Sequence, residues 1–169
     1  MSPRRVLREQ RAHCFEGALL AAALFWFHGE APLLLDLDTT RRDVNHTVAL
    51  FRQNRRWGAV SHTNHAVLRF REPVYRTVRE LVMSYFHEYF LDDGTKTLRA
   101  WSRPFNLSRL DDAYWITAEE DVWYIHDAVH RTRYYQILTV PMIKKLRPAE
   151  PIEIEAGKIV MWKRSTNSN

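Results

Sequence analysis

Cysteine is almost absent from this chain. Its 169 residues include one, Cys14, so an intramolecular disulfide is excluded and a reducing compartment, the cytoplasm, is the expected setting. Long apolar runs are also missing. The longest, 17–27, is too short to span a bilayer and ends at His28-Gly29. Arginines ahead of it imitate a secretory leader, but Glu9 and Glu16 interrupt the approach and no small-residue cleavage site follows Phe25-Trp26-Phe27. No membrane association is expected. The net charge of +5 comes from scattered arginine without a dense basic block, which reads as a solvated surface. With no zinc-finger spacing and no RNA-binding aromatic motif, nucleic acid is not an expected partner. Cys14, His62 and His65 do not make a closed set of four ligands, so neither a metal nor any other cofactor is expected. Internal repeats, low-complexity tracts and linkers are lacking too.

What is present is a globular composition: 46% hydrophobic, 27% charged, with six Trp, seven Tyr and eight Phe. One domain over residues 1–164 with a frayed tail at 165–169 is the expected organisation. Pro3 at a first-turn position, followed by Val6 and Leu7, predicts a short helix over 3–10. Arg11-Ala12-His13 breaks it, and a second helix over 14–27 is apolar almost all round, as a buried central helix would be. Gly29 stops it, and Leu33-Leu34-Leu35-Asp36-Leu37 follows as a buried strand.

A strand over 44–52 is predicted with Val44, His46, Val48 and Leu50 on one face, returning through a turn at 53–56 to an antiparallel partner at 57–60. Further strands are expected at 66–70, 97–101 and 133–140. Pro73 should open a long helix over 74–90 that ends at Asp92-Asp93-Gly94. Thr117, with Glu120 three residues on, looks like a capping box for a helix running to His130. A short helical turn is expected at 141–146. A terminal hairpin is expected from 152–155 and 158–162 about Ala156-Gly157. Sequential hairpins not alternating with helices make this an α+β layout.

Cys14 stands where a polar turn becomes a helix, a place that favours a thiolate. A cysteine nucleophile needs a base and a group to orient that base. His46 on an apolar strand face is the candidate base. Asn64 and Ser61, at the end of the next strand, are the candidate orienting groups. The neutral reading of the same residues is a small core cysteine, a core histidine and a turn asparagine.

Two stretches carry a family resemblance. Ser2-Pro-Arg-Arg-Val-Leu-Arg-Glu-Gln-Arg-Ala-His-Cys-Phe-Glu-Gly-Ala-Leu-Leu-Ala-Ala-Ala-Leu resembles the nucleophile region of the transglutaminase-like superfamily, within the papain-like cysteine enzymes. Val44-Asn-His-Thr-Val-Ala-Leu-Phe, followed by Arg56-Trp57-Gly58, is similar to that family's His strand and its Trp-bearing return strand. The resemblance covers roughly residues 2–64. It implies a Cys-bearing helix packed on an antiparallel sheet, with Cys14 as nucleophile and His46 as base in acyl transfer from a peptide or amide. It also implies an Asp at about position 61, where this chain has Ser61; Asn64 is the nearest alternative, as in papain-like enzymes. Thirteen residues precede Cys14 where family members carry tens. The resemblance therefore implies either a truncated start or a partner chain or second copy covering that side of the cleft. The alternative to an enzyme is the same fold kept as a binding or structural module.

Overall fold

The computed structural model describes residues 1–110 and 113–159. In chain order its elements are α1 (Pro3–Glu9), α2 (Cys14–Phe27), β1 (Leu33–Thr39), β2 (His46–Gln53), β3 (Arg56–Val60), β4 (Phe70–Tyr75), α3 (Val78–Met83), β5 (Leu98–Ser102), β6 (Phe105–Asn106), α4 (Tyr114–Thr117), α5 (Trp123–His130), β7 (Tyr134–Gln136), α6 (Val140–Ile143) and α7 (Pro151–Gly157). The strands form one antiparallel sheet in the order β4-β3-β2-β1-β5-β7, with β6 also pairing to β1. This is an α+β architecture with an open sheet. Among the described residues no helix is long and apolar enough to cross a membrane.

The sheet separates two cores because strand side chains alternate between faces. Leu34 and Ala49 face α2, where they pack with Phe15, Ala18, Leu19, Ala22 and Trp115. Leu35, Leu37, Val48, Leu50 and Ala59 face the other way, against Leu81, Val82, Tyr85, Phe86 and Tyr89. β1 and β2 pair with Leu35 opposite Val48 and Leu37 opposite His46. This register brings the start of β2 to the start of α2. The helix lies on one face of the sheet and is not buried all round: Leu24 and Phe27 are 50% and 85% exposed. Apolar periodicity overstated its burial because α1 and α4 cover only part of its outer side.

Four expectations fail. Residues 66–68 form a 3-10 turn, and the strand comes later, over Phe70–Tyr75. Pro73 sits inside that strand; β4 is at the sheet edge, at an irregularity in the β3 pairing, where a missing N–H costs little. The long helix over 74–90 shrinks to α3 and a 3-10 turn at Phe86–Glu88. There Arg71 takes the Ser84 carbonyl at 3.2 Å and the Ser84 hydroxyl at 2.8 Å, and its guanidinium stacks 4.0 Å from the Tyr85 ring centre.

The helix expected from Thr117 is split, with α4 ending there and α5 beginning at Trp123. The break is held from α1: Ser2 Oγ donates to the Ala118 carbonyl (2.6 Å), and Arg5 and Arg8 pair with Asp121 (2.7 Å) and Glu119 (2.9 Å). Glu120 accepts from the Tyr114 hydroxyl (2.9 Å) and caps nothing. Residues 151–157 are helical, with Glu153 capping the Glu150 N–H at 2.7 Å, so no hairpin forms about Ala156-Gly157. The return arm beyond residue 159 and the tail 165–169 lie outside the described residues.

Candidate functional site

Cys14 is the first residue of α2 and half-buried. His13 before it is extended, and the Glu16 carboxylate accepts the His13 backbone N–H at 2.7 Å, fixing the helix start. Burial works to raise the Glu16 carboxyl, but the Met1 ammonium at 2.8 Å and this N–H outweigh it and leave it below the usual carboxylate range. Gly17, one turn into α2, permits a close approach: a Cβ there would stand 2.2 Å from the His62 Cβ. The loop after β3 can therefore lie directly against α2.

Two cavities meet at Cys14, separated by Val44 and Asn45, which line both. The first, of about 260 Å³, is lined by Cys14 together with His46, Thr63, His65, Leu68, Glu88 and Tyr89. His46 is 6% exposed. Burial, reinforced by His65 and His62, lowers its pKa from 6.5 to about 4, so the ring is neutral at pH 7. Its Nε2 is sealed from solvent and has no hydrogen-bond partner among the described residues.

The structure brings Cys14 and His46 to one cavity, and it does not bring Asn64 there. Thr63 and His65 line the wall, but the Asn64 side chain between them is exposed. Ser61 is committed elsewhere: its hydroxyl donates to the Leu68 carbonyl at 2.6 Å. Both candidate orienting groups are thus turned away from the imidazole because the chain over 61–69 satisfies its own backbone before it reaches β4.

The second cavity, of about 210 Å³, holds Cys14, His13, Phe15, Asp36, Thr47, Trp123, His126 and His130. At its base Asp36, 1% exposed, collects the Tyr134 hydroxyl at 2.9 Å and the Asn45 amide at 3.0 Å, while its N–H donates to Ser102 Oγ at 2.9 Å. His130 Nε2 lies 3.8 Å from the same carboxylate, and its Nδ1 donates to the His126 carbonyl at 2.9 Å. Burial raises the Asp36 carboxyl, opposed by His130, Tyr134 and Asn45. Only Nδ1 of His130 is hydrogen-bonded; Nε2 faces the Asp36 carboxylate from beyond hydrogen-bond reach. Sequence reasoning passed over this network, although a charged residue inside Leu33-Leu34-Leu35-Asp36-Leu37 was a visible signal that a buried partner had to exist.

Among the described residues no group of three or more His, Cys, Asp or Glu is arranged to hold a metal ion. Set against known proteins, the chain matches no family model and no curated protein.

Proposed function

We propose that this protein is a cysteine-dependent acyl-transfer enzyme of transglutaminase-like type, working with a Cys14–His46 dyad on a peptide or amide substrate. The observation that supports this most is the pairing of the only thiol, at a helix start, with a buried neutral imidazole in one cavity. A neutral imidazole is the form that can accept a proton. The Cys14 sulfur attacks the carbonyl carbon, a C–S bond forms, and the thiol proton passes to His46. The C–N bond then breaks, and His46 returns the proton to the departing amine. Water or a second amine releases the acyl group by the same steps in reverse.

Incubation with p-nitrophenyl acetate should leave an acetyl group on Cys14, found by mass spectrometry and absent from Cys14→Ala. A wild-type chain that stays unmodified while releasing no p-nitrophenol would end this reading.

The second reading is a fold kept as a binding module with its chemistry lost. It is favoured by the unmet His46 Nε2, the absent third group, and an apolar groove of about 840 Å³ between α1, α2 and α4 where Leu7, Leu24 and Phe27 are exposed. On that reading Cys14→Ala changes neither partner capture nor any cellular effect, and a loss of effect with the fold intact excludes it.

A further inference from the structure

The Tyr89 ring is buried, 7% exposed. Tyr89 lines the 260 Å³ cavity that Cys14 and His46 also line, and its hydroxyl donates to the carbonyl of Val44, on the same wall, at 3.2 Å. That separation exceeds the usual O–H···O distance of about 2.7–2.8 Å, so the bond is a weak one that a better acceptor can replace. Of the other donors on the wall, His65 is exposed and Thr63 is half-buried, both on the loop after β3. Asp43 and Glu88 accept only when ionised, and the Asn45 amide is held by Asp36 (3.0 Å) and Asp38 (3.2 Å).

We infer that the Tyr89 hydroxyl is a catalytic hydrogen-bond donor to the oxyanion formed when Cys14 attacks a carbonyl carbon. The inference rests on the acyl-transfer reading above. As the C–S bond forms, the carbonyl π pair moves onto oxygen. The hydroxyl turns from Val44 to that oxygen, and when the leaving group departs the pair returns and the hydroxyl swings back. The ring is already held in the wall, so this rotation is all the donor needs to meet the developing charge. Burial, then the charges of Asp43, Cys14 and Asp36, push the phenol pKa up, so the proton stays in place for donation. The backbone of Tyr89 is anchored independently, its carbonyl accepting the Thr97 N–H at 3.0 Å. Losing the hydroxyl therefore leaves the ring where it is.

Two reagents separate this role from a structural one. Acetylation of Cys14 by p-nitrophenyl acetate passes through an oxyanion, whereas alkylation by iodoacetamide does not. Tyr89→Phe should slow single-turnover acetylation by about 100-fold and leave the alkylation rate within about 2-fold of wild type. Equal acetylation rates, or equal slowing of both reactions, would overturn the assignment of Tyr89 while leaving Cys14 as nucleophile. No Cys14-dependent acetylation in the wild type would remove the acyl-transfer reading and this inference together. Should Tyr89→Phe fail to fold, 3-fluorotyrosine at position 89 keeps the hydroxyl and strengthens it as a donor. Acetylation should then quicken with alkylation unchanged, and no change in acetylation overturns the proposal.

Discussion

Two buried ionisable groups flank Cys14, and the protein treats them in opposite ways. Asp36 in the smaller cavity is met by donors from Asn45 just before β2, Thr47 on β2 and Tyr134 on β7, with the His130 ring of α5 3.8 Å away. His46 in the larger cavity is nearly as buried, but its Nε2 has no partner among the described residues. A carboxylate can be kept buried by surrounding it with hydrogen bonds, whereas an unmet imidazole is kept buried only by staying neutral. The Asp36 network therefore reads as scaffold, holding β1, α5 and β7 in register. The His46 cavity reads as the place where a reacting group or a proton can be accommodated.

Removing the Asp36 carboxylate should have the largest effect. Asp36→Ala leaves the half-buried Tyr134 hydroxyl without its acceptor and the Asn45 amide with Asp38 alone, at a cost of about 3 kcal/mol, readable as a lowered urea midpoint. A loss under about 1 kcal/mol would mean that water already serves these groups.

The comparison can be sharpened by pH, because the two groups have opposite signs. The folded pKa of His46, about 4, lies below its ordinary 6.5. The unfolded chain therefore binds more protons in that window, and stability falls by about 3 kcal/mol as pH drops from roughly 6.5 to 4. Asp36 is raised in the fold, so its own contribution runs the other way: it is favourable at acid pH and lost as pH rises through the folded value. His46→Leu should flatten the acid-side fall and leave stability at pH 7 equal or slightly higher, since an unmet polar atom is replaced by an apolar one. Chemical denaturation at pH 7 and pH 5 on both chains measures this; an unchanged slope in the variant would place the acid sensitivity elsewhere.

A smaller effect is expected in α2, at Gly17. Helix propensity favours Gly17→Ala by about 1 kcal/mol, but the new methyl would stand 2.2 Å from the His62 Cβ. Overpacking of that kind costs about 1–3 kcal/mol. The net expectation is destabilisation by about 1 kcal/mol, seen as a lower Tm, and a higher Tm would show that the 61–65 loop yields easily. The smallest effect is at Asn64. Its exposed side chain makes Asn64→Ala worth less than about 0.5 kcal/mol in stability, with Cys14 acetylation unchanged within about 2-fold. A drop of about 10-fold or more in acetylation would mean that Asn64 orients His46 after all.

The region up to β3 was legible in sequence because its signals are local and agree with one another. Pro3 opens α1, Gly29 follows α2, and the alternation around Val48 and Leu50 matches the observed faces of β2. The candidate nucleophile and base were visible for the same reason: a lone thiol at a helix start and a histidine in phase with an apolar strand. Beyond β3 the local signals were outcompeted. Pro73 marked a helix only until the sheet edge offered it a strand position, and Thr117 lost its capping box once α1 drew residues 118–121 toward its arginines.

The sequence by itself determined the α+β class, the Cys14 helix and the strand that carries His46, because each follows from periodicity and end signals within a few residues. The tertiary structure alone decided which groups share a cavity. Asp36 meets Tyr134 across 98 residues of chain and His46 shares a cavity with Tyr89, while Asn64, closer in sequence to His46, turns outward. Contacts of that kind depend on strand order and register, which no local pattern encodes.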